Sequence, residues 1–154
     1  MELDKEQLQI ELRYAQRFCQ RSVRFYRRIQ TTFTFISLLA GSSAIAAIAA
    51  QMPVAATWML AAFSIFGILN FAIRLAERIA AFHADVRKYA ALITKSDLLD
   101  ASAIQHLLHE ARQTDAEEIE PLRAVAYNDV MLEIDEPNSL IELSPMQKLM
   151  GVLA

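Results

Sequence analysis

Charge is missing from 45 consecutive positions: no Asp, Glu, Lys, Arg or His occurs from Ile29 to Ile73. Glycine is nearly as scarce. With only Gly41, Gly67 and Gly151 in the chain, a glycine-rich loop that wraps phosphates with backbone amides is excluded. Cys19 is the sole cysteine, which excludes an intrachain disulfide and a cysteine metal cluster. The three histidines, His83, His106 and His109, all lie outside the uncharged run. His106-x-x-His109-Glu110 sets two imidazoles on one helix face, which binds zinc only with further ligands, and no pattern supplies them. The serines sit in no nucleophile elbow, and no strand-type alternation or internal repeat is present. These absences predict no catalytic residue, no metal, no cofactor and hence no enzyme.

What is present is the uncharged run itself. A helix crossing a bilayer takes ~20 predominantly apolar residues, and this run is interrupted once, at Gln51-Met52-Pro53. Two spans back to back are therefore expected, Thr31 to Ala50 and Val54 to Ile73. The fold class expected is an all-α membrane protein, a two-transmembrane helical hairpin extended by cytosolic helices. Its parts are a cytosolic amphipathic helix over 1–30, the hairpin over 31–73, a cytosolic continuation of the second helix over 74–96 and an acidic helical tail over 97–154. Residues 1–28 hold seven Lys/Arg against four Asp/Glu and residues 74–95 five against two, whereas 96–154 hold three against twelve. Basic flanks on both sides of an uncharged turn place both termini in the cytoplasm by the positive-inside rule.

The flanking helices carry seams. Leu8, Leu12, Ala15, Cys19, Ser22, Tyr26, Ile29 and Phe33 alternate in steps of four and three, as do Leu75, Ile79, Phe82, Val86, Tyr89 and Ile93. That spacing predicts two antiparallel legs packed as a stalk. Arg13, Arg17, Arg21, Arg24 and Arg28 fall within about 80° of one another on the opposite face of the first leg. Anionic lipids, or the acids Asp115, Glu117, Glu118 and Glu120 of the tail, are the partners expected for that stripe. Within the hairpin, Gln30, Thr34, Ser37, Gly41 and Ala44 also share a face, with Asn70 and Arg74 near the inner end of the second span. This is the pattern either of close helix packing or of a pore lining. Nucleic acid is not expected as a partner.

The tail punctuates into short helices. Ser102 with Gln105 resembles a capping box opening a helix through about Arg112. Pro121 suits the first turn of a helix running to about Glu133, and Asp135-Glu136-Pro137-Asn138 reads as a loop. Ser144-Pro145 reads as an N-cap and first helical position, with Gly151 ending that last helix.

The layout resembles the SMODS-and-SLOG-associating two-transmembrane effector (SLATT) family of bacterial and phage conflict systems. The resemblance rests on Arg24-Phe25-Tyr26-Arg27-Arg28 before a tight hairpin, and on Ala81-Phe82-His83 through Arg87-Lys88-Tyr89-Ala90-Ala91-Leu92 after it. Ile119-Glu120-Pro121 through Ala126-Tyr127-Asn128 adds a distal helix, so residues 10–130 are largely covered, while 135–154 have no counterpart. The resemblance implies a homo-oligomeric effector embedded in the bacterial inner membrane, which perturbs that membrane, with a pore as one mode, when a cytosolic sensor protein detects infection. The alternative from the residues is a non-conducting membrane anchor or scaffold that recruits a cytosolic partner.

Overall fold

The computed structural model describes residues 4–40 and 50–154. In chain order these form α1 (Lys5–Ala40), α2 (Pro53–Ile73), α3 (Leu75–Ser96), α4 (Ala101–Arg112), α5 (Glu120–Glu133), a 3-10 turn (Pro137–Ser139) and α6 (Pro145–Leu153). Among the described residues there is no strand. The chain divides into two compact units, Met1–Phe25 with Arg78–Ala154, and Tyr26–Glu77.

The expected membrane hairpin is corrected here. Among the described residues no helix is long and apolar enough to cross a membrane. The two-span fold class therefore falls, and with it the inner-membrane location and the pore. For the first span the reason lies in how the uncharged run is shared out. The helix meant to supply the first span is one piece from Lys5 to Ala40, so arginines run along it as far as Arg28. The remainder of that helix, Ile29–Ala40, is shorter than the ~20 residues a span needs and carries Gln30, Thr31, Thr32, Thr34 and Ser37. Positions 41–49 of the expected span lie outside the described residues. The second span was to continue unbroken into the next leg. Instead α2 stops at Ile73, where Arg74 adopts a left-handed conformation (φ 49°) and donates its backbone N–H to Phe71 O at 3.4 Å.

In the larger unit the seams become a core. No proline or glycine interrupts the chain before Gly41, so α1 has nothing to break it. Its start at Asp4 is held by the Asp4 carboxylate, which accepts from Lys5 N at 2.7 Å. Leu8, Leu12, Cys19 and Ser22 of the first seam are buried, as are Phe82 and Tyr89 of the second. Each large apolar side chain so buried contributes about 1.5–3 kcal/mol. The two legs run antiparallel: Lys5 Nζ donates to Asp97 O at 3.1 Å, and further along Phe18 meets Phe82 edge-on at 6.4 Å. Helix α4 closes over them, with Leu12, Leu92, Ile104 and Leu107 leaving no water-sized space.

The tail helices form with two changes to their expected ends. Asp100, not Ser102, caps α4, its carboxylate accepting from Ala103 N at 2.9 Å. Ser102 instead donates to that same carboxylate. The capping box at Ser144 and Gln147 is present, but α6 runs past Gly151 to Leu153. Gly151 lies inside the helix because α6 approaches α5 closely there; a Cβ on it would stand 3.3 Å from Val125 Cγ1.

Candidate functional site

The larger unit contains a cavity of about 290 Å³. Its apolar wall comes from Ala15, Phe18 and Cys19 of α1 and Phe82 of α3, and its polar wall from Tyr14, Asp85, Tyr89, Asp115, Arg112 and Arg123. Behind the polar wall sits a half-buried ion cluster centred on Lys88, of which Asp85 is the buried member. Its ammonium reaches Asp115 Oδ1 at 2.6 Å, Asp85 Oδ1 at 2.9 Å, Ala111 O at 2.9 Å and Thr114 Oγ1 at 3.2 Å. The other oxygens of the two carboxylates are also engaged. Asp85 Oδ2 accepts from Ala116 N at 3.0 Å, and Asp115 Oδ2 accepts from the Tyr89 hydroxyl. A buried charge group is tolerable only when paired and hydrogen-bonded in this way.

The same surroundings move three proton equilibria in one direction. Burial, reinforced by the carboxylates of Asp85 and Asp115, pushes the Cys19 thiol up to about 12. Burial and the hydrogen bond to Asp115 raise the Tyr89 phenol as well. For Lys88, burial alone works toward a lower value, but hydrogen bonds to Asp115 and Asp85 outweigh it and the ammonium is held above its ordinary range. At neutral pH the thiol, phenol and ammonium are all protonated, so Cys19 stands in the cavity wall as a thiol.

The arginine stripe is split. Arg17 pairs with Glu133, and Arg21 takes Asp129 with both Nε (2.7 Å) and Nη2 (2.8 Å) while Nη1 donates to Gly151 O at 3.2 Å. These arginines thus meet α5 and α6, whereas the 115–120 acids go to other cations: Asp115 to Lys88, Glu117 to Arg78, and Glu118 and Glu120 to Arg123. Arg13, Arg24 and Arg28 are exposed.

In the smaller unit, the small-polar stripe is satisfied within its own helix. Thr34 Oγ1 donates to Gln30 O at 2.9 Å and Ser37 Oγ to Phe33 O at 2.8 Å. Gln30 and Arg74 share an open groove with Gly67 and Phe71, and Arg74 pairs with Glu77 at 3.3 Å. Gly41, Ala44 and the Asn70 side chain lie outside the described residues. His106 and His109 line a separate open groove with Glu11 and Arg112, and among the described residues no three ligand-type side chains converge to hold a metal.

The most exposed feature of the smaller unit is apolar. Among its described residues, thirteen large apolar side chains are at least 36% exposed, including Phe71 (87%), Trp58 (73%), Val54 (72%), Leu38 (70%) and Ile68 (68%). Sequence reading missed the Lys88 cluster. Asp85-x-x-Lys88 beside the seam residues Val86 and Tyr89 was its one available signal, because charges bordering an apolar seam need each other. The contribution of Asp115, from a loop, had no signal at all. No family model, curated protein or solved structure matches this chain.

Proposed function

We propose that the protein is a non-enzymatic helical assembly module whose copies associate through the apolar surface of the Tyr26–Glu77 unit. The observation that carries this reading is the exposure of those thirteen large apolar side chains. Monomeric soluble proteins seldom leave contiguous apolar patches beyond a few hundred Å² uncovered. A second surface laid over these side chains would take them out of water, as a stable interface of ~800 Å² per partner does. A second copy is the occupant because the surface is nearly uncharged across its whole length, so it matches itself without leaving a charge unpaired. The protonated thiol and phenol of the cavity, with the ammonium behind it, support a non-catalytic role, since catalytic groups are tuned toward neutrality and these are tuned away from it. Self-association is the part of the effector role implied by the SLATT resemblance that this surface supports.

Sedimentation of the purified chain tests the reading. We expect a defined oligomer at micromolar concentration, dispersed by Trp58→Lys with Phe71→Lys, whose side chains are the most open and cost least in the fold. A monomeric parent chain overturns the proposal. So does a monomer that co-sediments with lipid vesicles, which assigns the surface to lipid instead.

A further inference from the structure

We propose that the 290 Å³ cavity of the larger unit is a binding site for a small quaternary ammonium ion. Four aromatic rings stand in its lining, Tyr14 and Phe18 from α1 and Phe82 and Tyr89 from α3. The face of such a ring attracts a cation through its quadrupole, most strongly where water is excluded. Phe18, Phe82 and Tyr89 are all buried, Tyr89 completely. The wall already makes one contact of this kind, since Lys88 Nζ lies 5.3 Å from the centroid of the Tyr89 ring.

Charge decides the sign of the ligand. Asp85 and Asp115 share a single ammonium, that of Lys88, so one negative charge is left over on the inner side. At the rim, Arg112 and Arg123 meet three carboxylates, those of Glu11, Glu118 and Glu120. Five acids thus stand against three bases around the cavity. The Cys19 thiol in the apolar wall feels the same field. Asp85 and Asp115 each raise its proton affinity by more than Lys88 lowers it.

Bonding capacity decides the kind of cation. Every oxygen of Asp85 and Asp115 already accepts from Lys88, Ala116 N or Tyr89. A primary ammonium brings three N–H donors that must each be met once water is lost, and the inner oxygens are engaged. A quaternary ammonium has no N–H to satisfy and needs only ring faces and a negative field. The volume lies at the lower limit of small-molecule sites, which suits a trimethylammonium group on a short arm and excludes a nucleotide. The site is independent of the assembly surface, because every residue lining it belongs to the larger unit.

Titration calorimetry of the full chain with choline tests the site, with 3,3-dimethylbutanol as its uncharged isostere and ethanolamine as its primary-ammonium match. Choline is expected to bind saturably at one site per chain. It should bind at least about tenfold more tightly than either control, the ratio that a desolvated cation–π contact provides. Phe82→Leu keeps the wall apolar but removes a ring, and should weaken choline by about tenfold. Glu118→Gln removes one lining charge and should weaken it several-fold. Glu118 is more than half exposed, so this variant tests the field even where a ring variant does not fold. Ala15→Phe fills the cavity and should abolish binding in a chain whose circular dichroism is unchanged. Absence of saturable choline binding to the folded parent chain overturns the proposal. Equal binding of the alcohol overturns it as well, because the cavity then reads shape alone. Tighter ethanolamine binding does the same and assigns recognition to the carboxylates. Choline binding that survives Ala15→Phe in a folded chain puts the cation on another surface and ends the assignment. None of these outcomes depends on oligomer size, so the site and the assembly reading fail or stand separately.

Discussion

At the residue scale the protein holds its protons against alkali. Cys19, Tyr89 and Lys88 all have folded values above their unfolded ones, which are 9.0, 10.0 and 10.5. A raised value means that the folded chain keeps a proton the unfolded chain releases. The stability so contributed is complete below the unfolded value and drains away as pH climbs through the folded one. Unfolding free energy should therefore begin to fall near pH 9 with Cys19 and steepen above pH 10, by up to ~1.4 kcal/mol per pH unit for each proton held. Urea unfolding across that range checks it. Tyr89→Phe removes one of the three protons and should flatten the slope above pH 10; an unchanged slope would refute the assignment. A second residue-scale expectation concerns Asp135, at φ 60°. It occupies the left-handed position of a Schellman end to α5, with Glu136 N donating to Met131 O at 2.9 Å and Asp135 N to Leu132 O at 3.4 Å. Glycine is the usual residue there. Asp135→Gly should raise stability by about 0.5–1 kcal/mol in the same unfolding assay, because the left-handed backbone strains an L side chain.

At the element scale, arginines fasten the tail helices to α1, Arg17 reaching α5 through Glu133 and Arg21 reaching both α5 and α6. Arg21 is about 20% exposed, grips Asp129 with a two-pronged fork and adds a bond to Gly151 O. Arg21→Ala leaves Asp129 without that fork and should cost ~2–3 kcal/mol. Arg21→Lys should recover less than half of the loss, since an ammonium is a point charge and cannot reproduce the paired donors. Arg13→Ala, on the exposed face of the same helix, should change stability by no more than about 0.5 kcal/mol. Denaturant midpoints of the three variants decide this, and a lysine that restores full stability would reduce the fork to simple charge. Asn128 assists from the other side. Its amide both donates to Ile141 O at 2.8 Å and accepts from Ile141 N at 2.9 Å, so the loop before α6 is held in position.

At the scale of the whole molecule, the two units differ in what they do with apolar side chains. The larger one has a buried core, in which Leu8, Leu122 and Val130 are inaccessible, although Leu98 and Met146, Leu149 and Val152 of α6 stay exposed. The smaller one displays its apolar side chains, from Phe35 on α1 to Phe71 on α2. If a second copy covers that display, stability is coupled to concentration by mass action. The melting temperature of the parent chain should then rise with protein concentration, and that of the Trp58→Lys, Phe71→Lys double variant should not. A concentration-independent melting temperature in the parent would count against assembly as firmly as a monomer in sedimentation.

Helix type and helix faces were legible from residue order alone, because both are local. The steps of four and three that bury Leu8, Leu12, Cys19, Phe82 and Tyr89 follow from 3.6 residues per turn, and Pro121 and Pro145 mark helix starts because proline has no N–H to lose there. The uncharged run was also legible, but its consequence was not. Hydropathy counts residues, whereas helix ends are set in three dimensions: only there does α1 carry its arginines forward in one helix and does the chain break at Arg74 between α2 and α3. Long-range pairing was equally out of reach. Asp85, Lys88 and Tyr89 sit within one turn of α3, but Asp115 arrives from a loop 26 residues further on. Arg21 meets Asp129 across 108 positions. Charge attracts at a distance without regard to sequence separation, so which acid meets which base, and the cavity they enclose with Phe18 and Phe82, was decided only when the helices packed.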